Sequence, residues 1–361
     1  MRKSRRIVTV LLTFIVVLVM VAGCGKKDSE SSTTTSGNTN EEQGTANEAS
    51  EDKDSKESGK EDAAEYNVAM LKGPTAIGFI KAWEDSDNGS TQNKYNVTAY
   101  GAADEITAGI VKGEIDIAAV PCNLAAVLYN KTEGKIKVAA INTLGVLYMV
   151  SASDDIKSVG DLRGKTIYST GQGTTPEYTL NYILEKNGLT PGEDVKIEYK
   201  SEATEVAAIM SETEDAIAML PQPYVTTVLS QNESMKIVLD MTEEWNRVSD
   251  DNSLVTGVVI VRNEVIEENE KAFKQFLKDY KESTAYVNEN VEEAAALVEK
   301  HDIFKAAVAS KAIPYCNIKF IEGEDMKTSV NSYLEVLFNA NSQSVGGKLP
   351  EDNFYYNTVT K

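Results

Sequence analysis

The residues of this chain best suited to meet a ligand lie in GQGTTPEYTL, residues 171–180, between a β-branched run, TIYST, and an apolar-periodic segment, TLNYILEKNGL. Gly171 and Gly173 let backbone approach a ligand with no β-carbon in the way. Thr174 and Thr175 supply hydroxyls and helix N-caps, and Pro176 suits a first-turn position that needs no N–H donor. A helix starting here would turn free N–H groups and the positive end of its dipole toward an electronegative ligand group. A Thr-Thr-Pro start also serves any α/β protein that needs a capped helix, so this stretch alone leaves both readings open.

Other chemistry is poorly provided for. The only histidine is His301, in VEKHDIFK, which excludes histidine-based triads and multi-histidine metal sites; it is expected to face solvent near a helix end. LRGKT, residues 162–166, contains GKT, but Val159 stands where the first glycine of a P-loop belongs, and GKT leads into a strand and not out of one. Carboxylates are numerous, yet they fall on charged helical faces, and no pair is set apart as an acid/base couple. Besides Cys24 there are only Cys122 and Cys316, which either bridge in an oxidising compartment or serve as small buried apolar residues. No catalytic residue, metal or cofactor is expected, and binding is the favoured role.

The elements that would position such a site alternate along the chain. With 361 residues and 42% hydrophobic content, two domains of ordinary size are expected, and the alternation of strand-like and helix-like runs favours α/β. YNVAML, NKYNVTAY, EIDIAAVP, KIKVAAINT and GVLYMVS read as strands, with helices at AIGFIKAWED, ADEITAGIVKG and NLAAVLYNKTEGK between the earlier ones. A second run follows SVGDLRGK: strands KTIYST, VKIEYK, AIAMLP and KIVLD, with helices TPEYTLNYILEKNGL, EATEVAAIMSE and QPYVTTVLSQ. The chain is expected to cross between the two runs near residues 151–158. After GVVIVR the pattern turns mostly helical, with Phe273, Phe276, Leu277, Tyr280 and Val287 at helical spacing, and reads as scaffold.

In open α/β sheets ligands bind beyond the carboxyl ends of the strands, where loops lead into helices. The candidate loops are GPT, PCN, NTLG, GQGTT and PQP, all short and polar. Trp83, Tyr100 and Trp245 are candidate walls for a planar ligand, or else core aromatics. Arginine, the usual partner of an anionic ligand, is scarce: in the second run only Arg163 and Arg247 occur, and neither lies in a strand-to-helix loop.

The chain begins with an export-type segment. MRKSRR carries four cations, residues 7–21 are almost wholly apolar, and VAGC at 21–24 resembles the bacterial lipobox, in which the cysteine becomes the lipidated first residue. Residues 1–23 are thus expected to be a lipoprotein signal peptide, with Cys24 the membrane anchor; an ordinary signal peptide or short anchor is the alternative. Residues 24–65 hold almost nothing to bury and are expected to form a disordered tether, with a reach of roughly 35 Å. Net charge is −20, and loss of the four cations ahead of Cys24 takes it to −24, which repels phosphate backbones and excludes nucleic acid as a partner.

Taken in order, SVGDLRGKTIYSTGQGTTPEYTLNYILEKNGL, the following strand, helix and AIAMLPQPY, and then GVVIVRNEVIEENEKAFKQFLKDY resemble the solute-binding proteins of ABC importers. The closest likeness is to those serving sulfonates, taurine, nitrate and thiamine-precursor pyrimidines, and GEIDIAAVPCNLAAVLYN is similar to that family's first-lobe strand and helix. The resemblance implies a type II periplasmic-binding-protein fold, with two α/β lobes and a ligand cleft between them. Lobe I would be 66–151 plus 255–361, and lobe II 152–254. The ligand-binding positions it implies are Gly73, Pro74 and Thr75; Asn123; Thr143; Gly173, Thr174 and Thr175; and Gln222 and Pro223. The implied partners are a small polar organic solute, either a sulfonate-like anion or a pyrimidine-type heterocycle, the ABC permease subunits, and the membrane through the lipid on Cys24. Signalling to a membrane receptor, or an enzyme on the same fold, are the alternatives.

Overall fold

A computed structural model describes residues 63–249 and 253–357. The signal segment, Cys24 and the tether up to residue 62 lie outside the described residues. The folded body opens slightly earlier than expected, because Glu65 already belongs to the first strand and the Ala64 N–H donates to Asn93 Oδ1 at 3.0 Å.

Strand β1 (Glu65–Leu71) buries Tyr66, Val68, Ala69 and Met70 and leads through Gly73 into α1 (Pro74–Asp87). Gly73 has φ 143°, a conformation open to glycine, and Pro74 then starts the helix without needing a donor. β2 (Lys94–Tyr100), α2 (Ala103–Lys112), β3 (Ile117–Pro121), α3 (Cys122–Lys131) and β4 (Ile136–Thr143) follow. α2 carries Asp104 and Glu105 in its first turn and Lys112 in its last, matching the helix dipole, and stops at Gly113 in the left-handed region.

Then come β5 (Leu147–Ser151), β6 (Thr166–Ser169), α4 (Thr175–Lys186), β7 (Lys196–Tyr199), α5 (Ala203–Glu212), β8 (Ile217–Pro221), α6 (Tyr224–Gln231), β9 (Lys236–Asp240) and the short α7 (Met241–Asn246). The rest is β10 (Gly257–Arg262), α8 (Asn263–Glu289), α9 (Val291–Lys300), α10 (Ala306–Ala312), β11 (Ile318–Ile321) and α11 (Gly323–Ala340). The helical reading of the C-terminal part thus omits one strand, β11.

The strands form two sheets, ordered β11-β4-β10-β3-β1-β2 and β7-β6-β8-β5-β9. Apart from the edge strand β11 they follow one plan. In each, parallel strands meet one antiparallel strand: β10 runs against β3 and β4, and β5 runs against β8 and β9. Each antiparallel strand is the first to follow the chain's passage from the other sheet.

That arrangement corrects the expected crossing at 151–158. β4 lies in the first sheet and β5 in the second, so the chain crosses at 144–146, and the strand 147–151 belongs with the second lobe and not the first. Period-two patterning marked both strands but carried no information on which sheet each would join. The crossing is held by Leu144 N–H to Asn317 O at 3.2 Å and by Gln222 N–H to Val146 O at 3.2 Å.

One buried cluster joins inner faces of both sheets to α11, through Val120, Ile141, Met149, Met219, Trp245 and Tyr333 among others. A second lies under α1 and α8, where Phe79 packs on Tyr95, Phe276 and Tyr280 with centroids 4.9–5.5 Å apart. A third packs α5 and α6 on the second sheet. Cys122 and Cys316 are free and buried in different clusters, so neither bridges the other. Among the described residues no helix is long and apolar enough to cross a membrane.

His301 does not face solvent as expected. It caps α9, lies against the Trp83 ring at 4.4 Å, and its Nε2 is 2.9 Å from Glu84 Oε2. Glu84 also accepts from Lys300 Nζ at 2.6 and 2.8 Å and from Asn88 Nδ2 at 2.8 Å. The Lys300 ammonium first, then the Asn88 amide and His301, hold the Glu84 carboxyl down from 4.5 to about 2. A carboxyl depressed in the folded state stabilises the fold fully above its ordinary value, and loses that contribution as pH falls from 4.5 toward 2.

We therefore expect denaturant midpoints to fall across that acid window, and Glu84→Gln to flatten this dependence while leaving the window above about pH 6 parallel to the wild type. At the crossing, a β-carbon on Gly145 would meet Thr242 Cγ2 at 2.8 Å and Cβ at 2.9 Å. Gly145→Ala is expected to cost about 1–3 kcal/mol in chemical denaturation, and Thr242→Ala in the same chain to restore part of it.

Candidate functional site

The two sheets turn the carboxyl ends of their parallel strands toward one another, and between them lies a cleft of about 560 Å³. From the first sheet come the loop after β1, the loop after β2, the end of β3, Thr143, and Thr256 with Gly257. The second contributes the loops after β6 and β7, the end of β8, and Tyr224. A cavity of this size, walled by strand ends and helix starts, suits a small organic molecule.

The expected positions divide into two groups. Gly73, Pro74, Thr75, Thr143, Gly173, Thr174 and Thr175 all line the cleft. Asn123, Gln222 and Pro223 do not. Asn123 is fully buried behind the wall, where its amide donates to Ser344 O at 2.9 Å and Gly173 O at 3.3 Å, and its Oδ1 accepts from Thr175 Oγ1 at 3.2 Å. It ties the loop after β6 to the first lobe. Gln222 turns its Oε1 back onto Thr226 N and Oγ1, at 3.2 and 2.8 Å, and precedes a cis bond to Pro223; its backbone oxygen comes within 3.9 Å of where a Gly73 β-carbon would stand.

Hydrogen bonding sorts the lining residues further. Thr75 Oγ1 donates to Leu71 O at 2.7 Å, Thr174 Oγ1 to Gly171 O at 2.7 Å, and Thr175 Oγ1 to Asn123. These O–H groups shape their own loops. Gly171 and Gly173 have φ 73° and 75°, which explains the two glycines of GQGTT: the backbone turns through the left-handed region twice before α4 begins.

By contrast, Thr143 Oγ1, Thr256 Oγ1 and the Tyr199 hydroxyl are shielded from solvent and have no protein partner. All belong to residues that line the cleft: Thr143 and Thr256 on the first lobe, Tyr199 on the second. Burial, and then the Glu177 charge, push the Tyr199 phenol up; burial, and then Glu202, push Tyr224 up to about 12. Both stay protonated near neutrality and able to donate.

Tyr199, Tyr224 and Thr256 were missed by sequence reasoning, as were the loops after β2 and β7. Those loops, YGAAD and YKSEA, lie between strand and helix just as four of the five chosen ones do, and that position alone would have found them. Trp83, Tyr100 and Trp245 are not cleft walls. Trp83 stacks on His301, and Trp245 is fully buried between Tyr182 and Tyr333, with centroids at 5.0 and 5.3 Å. Tyr100 is half-buried beside the first cluster and outside the lining. Arg163 pairs with Asp194, and Arg247 with Glu243 and Glu244, so neither serves the cleft. The cations that line it are Lys72 and Lys200; the lining carboxylate is Asp104.

Across the mouth the lobes nearly touch. A β-carbon on Gly101 would stand 2.9 Å from Glu202 Oε1, so the glycine permits this approach of the loop after β2 to the loop after β7.

Comparisons with known proteins follow the same lines. Residues 136–294 match the family model described as NMT1/THI5 like. Binding proteins of Brucella abortus and Brucella suis are 28% identical over 173 residues, covering 48% of this chain and 52% of theirs, so the chain spans about half the length of the curated relatives it matches. An ABC transporter structure from Parabacteroides distasonis is 25% identical with TM-score 0.67, covering 81% of this chain and 99% of that one. The periplasmic aliphatic sulphonate binding protein of Escherichia coli is 14% identical with TM-score 0.63, covering 82% and 94%. The periplasmic nitrate-binding protein of Synechocystis is 14% identical with TM-score 0.58, covering 78% and 84%; at these identities the likeness is one of fold. With its mixed sheets set about one cleft and its NMT1/THI5 like segment at 136–294, the chain has the two-lobe fold of the periplasmic solute-binding proteins, the group its sequence resembles.

Proposed function

We propose that this chain is the extracytoplasmic solute-binding component of an ABC importer, anchored by a lipid on Cys24, which captures a small polar organic solute and delivers it to a membrane permease. One observation carries the reading: unpartnered, shielded hydroxyls of Thr143 and Thr256 on one lobe and Tyr199 on the other border the same cleft. Such groups cost about 1–3 kcal/mol each unless something bonds them. A solute reaching both walls would satisfy them only when the lobes are together.

Closure follows from that. A solute bonded to both lobes has more contacts in the closed form than in the open one, and only this difference shifts the equilibrium. The crossing at 144–146 and the return ahead of β10 are the chain segments about which the lobes would turn. The signal segment and the VAGC motif support export and lipidation, and the tether would hold the body near the membrane with freedom to rotate. The role proposed is binding without turnover: the cleft lining holds no histidine or cysteine, and the single histidine is engaged with Trp83 and Glu84.

Native mass spectrometry of the purified chain should show a retained small molecule, released on denaturation. Thr143→Val and Thr256→Val keep volume and remove a hydroxyl, and each is expected to weaken binding of that molecule by about tenfold with little change in thermal midpoint. Unchanged affinity in both variants, measured by titration calorimetry, would remove these hydroxyls from the site.

A further inference from the structure

The start of α4 should attract an anion, yet the chain has already placed one there. Thr174 is the N-cap, Pro176 follows, and Glu177 completes a Thr-x-x-Glu pattern. In a reciprocal capping box the threonine would accept from the glutamate N–H, and the glutamate from the threonine N–H. Here neither happens. Thr174 donates both its N–H, at 2.9 Å, and its hydroxyl, at 2.7 Å, to Gly171 O, and the Glu177 carboxylate instead accepts the Gly173 N–H. Pro176 has no N–H to give. The Gly173 N–H, in a loop that lines the cleft, therefore faces a resident negative charge.

We propose that Glu177 sets the charge selectivity of this cleft, occupying the anion position at the start of α4 and holding the site for uncharged, hydrogen-bonding solutes against oxyanions. The inference rests on the solute-site reading above and narrows it. A second, independent feature marks the cleft as a site for a hydrogen-bonding ligand: Thr143 is 1% exposed, and its hydroxyl on the cleft wall has no partner. Around the cleft the starts of α2 and α5 also carry their own carboxylates, Asp104 and Glu105 in one and Glu205 in the other, with Glu202 at the mouth. Neither lining lysine offsets this. Lys200 lies 3.7 Å from Glu198, and Lys72 is exposed, where water and salt weaken its pull. The negative charge of Glu177 also reaches Tyr199, adding to the burial that keeps this phenol protonated.

Glu177→Gln tests the charge alone, because the amide oxygen can still accept the Gly173 N–H. Ethanesulfonate and ethanesulfonamide differ in charge at nearly constant shape, and their binding to the full-length wild-type and variant chains can be followed by ligand-observed NMR, with circular dichroism to confirm an unchanged fold. The expected result is a gain of about tenfold in ethanesulfonate affinity relative to ethanesulfonamide on removing the charge. A wild-type chain that already prefers the sulfonate, or a variant whose preference is unchanged, overturns the inference and leaves the solute-site reading standing. A chain that retains no small molecule on purification, and whose two forms bind neither probe, overturns both.

Discussion

A shielded hydroxyl without a partner costs about as much as a good hydrogen bond contributes, and this protein keeps such groups on opposite walls of one opening. That cost is tolerable only if the surrounding framework is rigid enough to hold the groups apart from one another and from the backbone. The framework does this by using three neighbouring threonine hydroxyls for itself. Thr75, Thr174 and Thr175 each bond a backbone or amide oxygen and so fix the loops that carry them. Asn123 then joins one of those loops to the opposite lobe from a fully buried position. What remains uncommitted is what a guest can use.

The sheets explain why the walls face each other. Apart from the edge strand β11, each sheet contains one antiparallel strand, β10 or β5, the first to follow a passage of the chain from its counterpart. Both passages therefore lie beside the cleft: Thr143 ends β4, Thr256 precedes β10, and the Thr256 N–H bonds Thr143 O at 3.1 Å. The unpartnered hydroxyls of the first lobe thus sit at the two segments where the chain leaves and re-enters its sheet. Under the proposed function, binding and lobe rotation would meet in the same few residues.

Much of this was legible in the sequence, and the omissions have physical causes. Short apolar or alternating runs marked β1 through β9, and helical periodicity marked most helices; β3, β5 and β8 read as continuous apolar runs because both their faces are buried. β11 was invisible: it has four residues, Ile318–Ile321, between helices, and pairs with β4 far away in the chain. The sheet that β5 joins was also hidden, since an apolar run shows that a strand is buried but not where. Most loops were found by their place between strand and helix, and Gly73 and Thr174 reached the lining for that reason. Side-chain roles fared worse. Whether a threonine bonds its own loop or faces a cavity depends on a rotamer, and whether an aromatic is wall or core depends on distant partners such as Tyr333 for Trp245.

The C-terminal helix limits how the lobes can part. α11 follows the edge strand of the first sheet, while Trp245 follows the last strand of the second; Tyr333 of α11 lies 5.3 Å from the Trp245 ring, and its hydroxyl 3.2 Å from that of Thr179 in α4. Separating these rings would re-expose part of the ~150–250 Å² that each buries, at roughly 25 cal/mol per Å², a cost that works against opening along this seam. Elsewhere the lobes meet where the Gly101 backbone approaches the Glu202 carboxylate, and where the Tyr224 ring lies 5.0 Å from that of Phe304.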